Sequence, residues 1–419
     1  MRSFVIIQIF LLSFVLEENK AFGAPASLNL REVYSAAKEK TESVPQGKAL
    51  IRESEALKDQ VYGRFLPGLA LGATYLRQNK ITGSNSQDQT ASKITLTQSL
   101  YAGGKDKADF SAASSEVAAR QQNLEAVENA LFADVAASFF AVLAAEQDIK
   151  NIQKSIALTQ DRIKELRKRM KIGKTQKVEV LAAEALDSVL ESQLLAAQGV
   201  HNVARDTFAR VTGLDRTTLL TDPMRFPKEP KTIESYLNEI DNRPDIRALK
   251  LGVETNEHEI RSAQAGHLPT LSLIGNGYLS QSGVQSSNNP DWDIGLSLSF
   301  PIFSGGIVSA KVRQIREIEI QAELLLKNRR RVAEEEIRRA YSTLMSDLEQ
   351  VKSLEKALSA TEQNYKEQAR NYSFSLTTNL DVIQALNALQ DTKRTLDKTR
   401  FDALTAWAQL RSATAQPLK

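Results

Sequence analysis

The chain has no cysteine among its 419 residues. That absence excludes disulfide bonds and thiol chemistry, and it excludes the acylated cysteine that anchors a bacterial lipoprotein. An excess of one charge is also missing, because 54 basic residues stand against 51 acidic ones and the net charge is only +3. A balance of this kind indicates no nucleic-acid partner.

Groups that carry catalysis or bind metals are scarce as well. The only histidines are His201, His258 and His267, which lack both metal-ligand spacing and a nucleophile partner. There is no Walker motif, so a partner must supply any energy that the function needs. We therefore expect a protein that is not an enzyme, with no catalytic residue, no metal and no cofactor. A cell-wall or matrix enzyme is disfavoured for the same reason.

Long apolar runs are confined to the N-terminus. Arg2 precedes an apolar run from Phe4 to Leu16, and small residues follow it. The run is shorter than the ~20 residues that a transmembrane helix needs, so we interpret residues 1–24 as a signal peptide, cleaved within residues 23–26. No later apolar run approaches that length. If the mature chain enters a membrane, it must do so as strands.

The most informative feature that is present is an internal repeat with an offset of 202 residues, which holds without a gap over more than 110 residues. A repeat of this length indicates one supersecondary unit built twice. We expect a first copy at residues 25–213, a linker rich in proline at 214–231, and a second copy at 232–419. The repeat is plainest where Leu100-Tyr101-Ala102-Gly103-Gly104 matches Ile302-Phe303-Ser304-Gly305-Gly306.

Each copy contains two segments in which apolar residues alternate with Ser, Thr or Gly. The alternation predicts strands, each with one apolar face, at about residues 66–77, 93–101, 268–280 and 292–302. Their lengths suit a tilted strand that crosses a bilayer, which needs ~9–11 residues. The pattern is typical of a transmembrane barrel. Amphipathic hairpins on a soluble core remain an alternative.

Four strands cannot close a barrel, since the smallest known barrels use ~8. Open strand edges are not tolerated in lipid, where unpaired backbone groups find no water. If these strands cross a membrane, several chains must therefore share one barrel.

Proline and glycine are absent from Lys105 to Met170. This predicts a continuous helix at 105–170, ~99 Å long at ~1.5 Å per residue, and the repeat predicts a second one at 307–372. Apolar residues return every seven positions, as in a coiled coil. Shorter return helices are expected at 178–211 and 380–411. Residues 32–64 also have helical periodicity, and together with the first return helix they match the long helix in length.

The order of these features resembles that of the TolC-like outer-membrane efflux proteins, over nearly the whole mature chain. The resemblance rests on the Leu-Pro pair before the first and third strands and on the aromatic-x-Gly-Gly motif before each long helix. It also rests on two turn motifs, Arg169-Met170-Lys171-Ile172-Gly173 with Glu179-Val180-Leu181, and Arg370-Asn371-Tyr372-Ser373 with Asp381-Val382-Ile383.

This resemblance implies a mainly helical fold in which each chain gives four strands to a shared trimeric, twelve-stranded β-barrel. The helices of the homotrimer then form a long periplasmic coiled-coil barrel below the outer membrane of a Gram-negative bacterium. The implied partners are outer-membrane lipid, a periplasmic adaptor and an inner-membrane transporter of the RND, ABC or MFS class. The implied function is a passive exit duct of a tripartite efflux pump or a type I secretion system.

The resemblance also implies roles for particular residues. A periplasmic entrance would be held by Glu179, Tyr372, Asp381 and Gln384. Adaptor-docking turns would contain Ile172, Gly173, Lys174, Ser375, Leu376 and Thr377, and the strand-to-helix glycines are Gly103, Gly104, Gly305 and Gly306. The turns depart from the Gly-Leu that the family usually carries, and Gln384 replaces a second acidic residue.

Three alternatives stay open from the sequence. Glu179 and Tyr372 are also compatible with ordinary positions beside a heptad, and Asp381 with a cap of its own helix. The whole chain is also compatible with a soluble periplasmic coiled-coil adaptor or scaffold. The sequence does not identify the cargo.

Overall fold

The computed structural model describes residues 27–77, 88–222, 230–282 and 291–416. The expected signal peptide at 1–24 and the middle of the linker lie outside these residues. The first copy contains α1 (Leu30–Lys40), α2 (Ser43–Gly63), β1 (Gly68–Arg77), β2 (Asp88–Ala102), α3 (Lys105–Lys171) and α4 (Lys177–Thr212). The second copy contains α5 (Ile233–Leu237), α6 (Pro244–Gln264), β3 (Thr270–Ser282), β4 (Trp292–Ser299), α7 (Ile307–Ser373) and α8 (Asn379–Ala413). The fold is mainly helical with a four-stranded sheet, as predicted.

The sheet is antiparallel, with strand order β1-β2-β3-β4. One face is apolar and exposed in the single chain; it carries Leu69, Leu71, Leu296, Leu298, Ile294 and Trp292. The opposite face carries mainly Ser, Thr and Gly. This division of faces suits lipid on one side and water on the other.

Six of the eight strand boundaries differ from the predicted ones, by one to five residues, and three of these differences have a clear physical cause. β1 begins at Gly68 rather than 66, because the Leu66 N–H donates to Gly63 O in the turn that ends α2. β2 begins at Asp88 rather than 93, because its first residues pair with the end of β1. β4 ends at Ser299 rather than 302, where Pro301 has no N–H to donate.

The two long helices, α3 and α7, have 67 residues each and so span ~100 Å. α3 packs against α2 and α6 near the sheet and against α4 and α8 toward its other end. The periodic segment 32–64 is not one helix. It is broken between α1 and α2, where the Thr41 hydroxyl and N–H both bond to Ala37 O.

The main apolar core lies where α1, α3, α4 and α8 meet. Phe132, Phe139 and Phe208 are fully buried there, and truncating one of them to Ala costs ~3–5 kcal/mol. Within the described residues, α3 is the one helix with an 18-residue window apolar enough, by length and composition, to cross a membrane. Phe132, Phe139 and Phe140 of this helix pack in the core just described.

An ion cluster centred on the buried Arg243 joins the start of α6 to α7 and α8. Arg243 pairs with Asp245 and Glu336 at 2.8 Å each and donates to the carbonyl oxygen of Ala413. Arg329 pairs with the same two carboxylates. From the sequence we interpret the run Arg329-Arg330-Arg331 as a solvated helix face. That interpretation is wrong for Arg329, because the turn before α6 lies against that side of α7.

Candidate functional site

The candidate site is the end of the molecule farthest from the sheet, where α3 turns into α4 and α7 turns into α8. The two turns have the same backbone geometry. Gly173 has a positive φ of 71°, and the matching Ser375 has a positive φ of 60°. The N–H groups of Lys174 and Leu376 close the turns on carbonyl oxygens five residues earlier, both at 2.9 Å.

The turns expose apolar side chains in the single chain. Ile172, Phe374 and Leu376 are all largely exposed. Such a concentration of apolar surface at one end of a helical body is typical of an interaction site. Thr377 does not contribute to it, because its hydroxyl bonds to Gln368 and Asp381.

The structure brings Glu179 and Tyr372 together within one chain. The Tyr372 hydroxyl donates to Glu179 Oε2 at 2.9 Å and lies 3.1 Å from the Thr175 hydroxyl. The side chain of Tyr372 is buried. Burial, assisted by the bond to Glu179, raises the pKa of the Tyr372 phenol. This contact, which we name the tip latch, ties the α3–α4 hairpin to the α7–α8 hairpin.

Sequence reasoning missed three residues that support the tip latch. The guanidinium carbons of Arg162 and Arg169 lie 3.9 and 4.8 Å from the centre of the Tyr372 ring. Arg162 Nε donates to Asn379 Oδ1, and Asn379 Nδ2 donates to the Glu179 carbonyl oxygen. A signal was available, since Arg162 and Arg169 are seven residues apart beside the apolar heptad positions of α3.

Asp381 forms the cap of α8. Its Oδ2 atom accepts from the Thr378 N–H at 2.9 Å and from the hydroxyls of Thr377 and Thr378, and the Thr378 hydroxyl accepts from the Asp381 N–H. These bonds, led by the Thr378 hydroxyl, lower the pKa of the Asp381 carboxyl. Gln384, one turn later, is exposed. The hydrogen bonds that a helix cap requires are thus present at Asp381. A pore-lining role for Asp381 or Gln384 stays a prediction.

The strand-to-helix glycines all have left-handed backbone. The φ angles are 65° at Gly103, 82° at Gly104, 62° at Gly305 and 78° at Gly306. At Gly103 the packing also requires glycine, because an added Cβ would lie 2.8 Å from Leu268 Cβ and 2.9 Å from Ala265 O.

A second group that sequence reasoning missed lies on the polar face of the sheet. Asp293 accepts from Asn276 Nδ2 at 2.9 Å and from the Tyr278 hydroxyl at 2.8 Å, and the Thr95 hydroxyl donates to Asn276 Oδ1 at 2.9 Å. Lys93 lies opposite Tyr278 on the neighbouring strand. The group places one carboxylate and one ammonium on a face that is otherwise nearly uncharged.

Within the described parts of the chain, no group of three or more His, Asp or Glu side chains is arranged to hold a metal ion. The arrangement of the tip is that of a helical end with an internal latch and an exposed apolar surface.

Comparison with known proteins gives a consistent result. The family model described as "Outer membrane efflux protein" matches residues 33–214 and 236–416. Outer membrane protein TolC of Escherichia coli (strain K12) is 25% identical over 414 residues, which cover 92% of this chain and 82% of TolC. The alkaline protease secretion protein AprF of Pseudomonas aeruginosa is 25% identical over 248 residues, 57% of this chain and 52% of AprF.

The fold has solved counterparts. The crystal structure of the outer membrane protein VceC of Vibrio cholerae superimposes with a TM-score of 0.80 at 20% identity, over 92% of this chain and 96% of VceC. The two chains therefore share one architecture over almost their whole length.

Proposed function

The chain belongs to the outer membrane efflux protein family, and we propose that three copies of it form a passive exit duct that an adaptor and a transporter complete. The predicted function is confirmed at the level of the family: an outer-membrane exit duct for efflux or type I secretion. The predicted location, the outer membrane of a Gram-negative bacterium with a periplasmic tunnel, is confirmed at the same level. The family is one of transport channels rather than of known enzymes.

The observation that supports a trimer is that the sheet is open at both edges. β1 and β4 are its two edges, and neither edge has a partner strand within the described part of the chain. In lipid an unpaired edge costs several kcal/mol for each exposed backbone group. A closed barrel removes both edges, and three chains of four strands each supply the twelve strands that the resemblance implies.

The partners follow from the two ends of the molecule. The apolar face of the sheet contacts outer-membrane lipid. The turns at 172–174 and 375–377 contact a periplasmic adaptor, which connects the duct to an inner-membrane transporter of the RND, ABC or MFS class. Energy comes from that transporter. The alternative, a soluble periplasmic adaptor or scaffold, would leave the apolar face of the sheet in water, where patches of this size are rare on soluble proteins.

A fractionation experiment tests this function. The full chain should be expressed so that its N-terminal segment can direct export. The protein should then be recovered from outer membranes, and light scattering in mild detergent should give the mass of a trimer. The control is a triple variant of the apolar face, Leu71→Lys with Leu273→Lys and Leu296→Lys. It should not enter the membrane, because each lysine at mid-bilayer costs ~2–4 kcal/mol. A monodisperse wild-type monomer in the soluble fraction would instead support the adaptor alternative.

A further inference from the structure

A cavity of about 620 Å³ lies between α3 and α7, at the level where α8 ends and α6 begins. α8 stops at Ala413, and α6 starts at Pro244, a residue that suits the first position of a helix but not its interior. Arg243 joins the two helix ends by donating to the Ala413 carbonyl oxygen at 2.8 Å. The cavity therefore follows from the order of the elements, because two short helices stacked end to end leave a gap beside the long ones.

The apolar part of the cavity wall consists of small side chains. It is formed by Ala126, Ala130, Ala133, Ala340, Ala413 and Ala415. The three alanines of α3 share one face of that helix, because residues three and four positions apart do so. This face points away from the core that contains Phe132 and Phe139. Larger apolar residues on it would fill the gap, whereas alanine keeps the cavity open.

The cavity also contains a buried amide without a partner. Asn129 lines the cavity and is only 9% exposed, and its backbone carbonyl oxygen accepts from the Ser412 hydroxyl. Within the described residues, the side-chain amide of Asn129 makes no hydrogen bond. Another buried asparagine of α3, Asn151, is paired, since it donates to Asp397 and accepts from Gln147. Because buried amides are normally paired, the Asn129 amide indicates a partner that comes from outside the chain, either a ligand or water.

The ion cluster described above closes the cavity on the side of the sheet. Arg243 and Arg329 line the cavity there, together with Asp245 and Glu336. Both guanidinium groups pair with both carboxylates at 2.7–2.8 Å. The two positive and two negative charges cancel, and these groups already have their partners. The selectivity of the cavity for a ligand must therefore come from other side chains.

Two further charged side chains line the cavity, one from each long helix. Asp134 of α3 is exposed, and it has no ion-pair partner in the part of the chain that the structure describes. The side chain of Arg339 on α7 is 68% exposed, and its ion pair with Glu335 is 3.9 Å long, so this pair contributes little. Asp134 follows the first residue of α3 by 29 positions, and Arg339 follows that of α7 by 32. Both helices run from the sheet to the tip, so the two charges differ by only ~4.5 Å in height.

We propose that this cavity binds a small zwitterion with an amide between its two charges, as in a dipeptide. The ammonium group pairs with Asp134, the carboxylate pairs with Arg339, and the peptide group exchanges hydrogen bonds with Asn129. An extended dipeptide is ~7 Å long, and the cavity has a volume within the ~300–1,000 Å³ usual for sites that bind small molecules. A simple amine would pair with Asp134 but leave Arg339 without a partner, and a free amino acid would lack the amide. The site lies within one chain, so it is independent of the proposed trimer.

Isothermal titration calorimetry tests the proposal, with the exported protein transferred from membranes into lipid nanodiscs. The probe is the dipeptide alanyl-phenylalanine, compared with its N-acetylated form, its C-amidated form and the form blocked at both ends. The free dipeptide should bind at one site per chain. Each blocked form should bind at least about tenfold more weakly, because each block removes one charge-assisted contact. Equal affinity for all four forms would overturn the assignment of charges. If the free dipeptide shows no saturable binding at millimolar concentration, the site itself is overturned and the cavity holds water only.

Substitutions locate the site. Asp134→Asn should weaken binding of the free dipeptide about tenfold and remove its advantage over the acetylated form, and Arg339→Gln should do the same for the amidated form. Glu125→Gln and Arg331→Gln are the matched controls, since they change exposed residues of the same helices outside the cavity wall. They should leave binding unchanged. Ala130→Met fills the cavity from α3 and should abolish binding; unchanged binding by this variant would place the dipeptide elsewhere and overturn the proposal.

A pair of asparagine variants tests the role of the amide. Without dipeptide, Asn129→Ala should not lower the melting temperature, because it removes no hydrogen bond within the protein. Asn151→Ala should lower it, because it removes the bond to Asp397. With dipeptide, the melting temperature of the wild type should rise, and that of Asn129→Ala should rise less. If Asn129→Ala destabilises the free protein as much as Asn151→Ala, the Asn129 amide has a structural role and the proposed contact is wrong.

Discussion

Replacing Tyr372 by Phe should open the periplasmic tip. The substitution removes one hydroxyl, which donates to Glu179 at 2.9 Å and lies 3.1 Å from the Thr175 hydroxyl. It leaves the aromatic ring in place between Arg162 and Arg169. The packing of the α3–α4 hairpin on the α7–α8 hairpin therefore changes little, and the loss is confined to hydrogen bonding.

The magnitude follows from the charge on Glu179. A hydrogen bond to a charged group contributes ~1.5–3 kcal/mol, and the half-exposed position of Glu179 places the value at the lower end, about 1.5 kcal/mol for each subunit. Since ~1.4 kcal/mol corresponds to a factor of ten in an equilibrium constant, the open tip should gain about tenfold in population for each latch removed.

The assay is single-channel conductance in planar bilayers. Mean conductance should rise for Tyr372→Phe, and the double variant Glu179→Ala with Tyr372→Phe should add little, because both substitutions remove the same bond. Tyr365→Phe is the matched control, since Tyr365 packs in the same cluster one heptad earlier. Unchanged conductance in the double variant, or an equal rise with Tyr365→Phe, would refute the latch.

Five further outcomes are expected. If three Asp381 carboxylates surround the pore, Asp381→Asn should move the reversal potential in a salt gradient toward lower cation preference. An unchanged reversal potential together with a lower melting temperature would show that Asp381 acts only as the cap of α8. Ser375→Gly should stabilise the fold by about 1 kcal/mol, because a left-handed residue other than glycine costs ~1–2 kcal/mol. Arg243→Met should destabilise the fold by about 1–3 kcal/mol, measured by denaturant unfolding, because it removes the buried guanidinium that pairs with the half-buried Asp245 and Glu336 and donates to the Ala413 carbonyl oxygen. Burial raises the pKa of the Asp245 carboxyl, but the ion pairs with Arg243 and Arg329 outweigh burial and lower that pKa overall. The stabilisation from Asp245 is therefore complete above its unfolded pKa of about 4, and it is lost as the pH falls through the lower pKa of the folded state. Asp293→Asn should reduce cation preference in the same reversal-potential assay, while Ser297→Ala on the same face should not.

Much of the fold was predictable because it depends on local periodicity. The alternation of Leu271 and Leu273 with small polar residues locates a strand, and the long interval without proline or glycine after Gly104 locates α3. The strand ends were less accurate because they depend on a neighbour. β2 extends to Asp88 only because β1 continues beside it to Arg77, and no local pattern records that pairing.

The candidate site was predictable only in part, for a related reason. Glu179 and Tyr372 were found through the resemblance, and they do meet in the structure. Asn379 was missed because its partners, Arg162 and the Glu179 backbone, are about 200 residues away in the chain. The solvated-face interpretation failed for Arg329 for the same reason, because its partner Asp245 lies 84 residues earlier in the chain. Charged residues on helices give no sequence signal of a distant partner.

The pairing of β2 with β3 has a consequence for the order in which the protein folds. The hairpins β1–β2 and β3–β4 each close a short loop, whereas Ala102 and Thr270 meet across all of α3 and α4. Contacts between residues so distant in sequence form slowly, because the entropy of closing the chain is lost before the contact stabilises it. We therefore expect the two halves of the sheet to join last, after the helical hairpins have formed. A newly exported chain would then cross the periplasm with its lipid-facing surface divided into two small pieces, and the wide apolar sheet would exist only once both helical hairpins are in place to hold it.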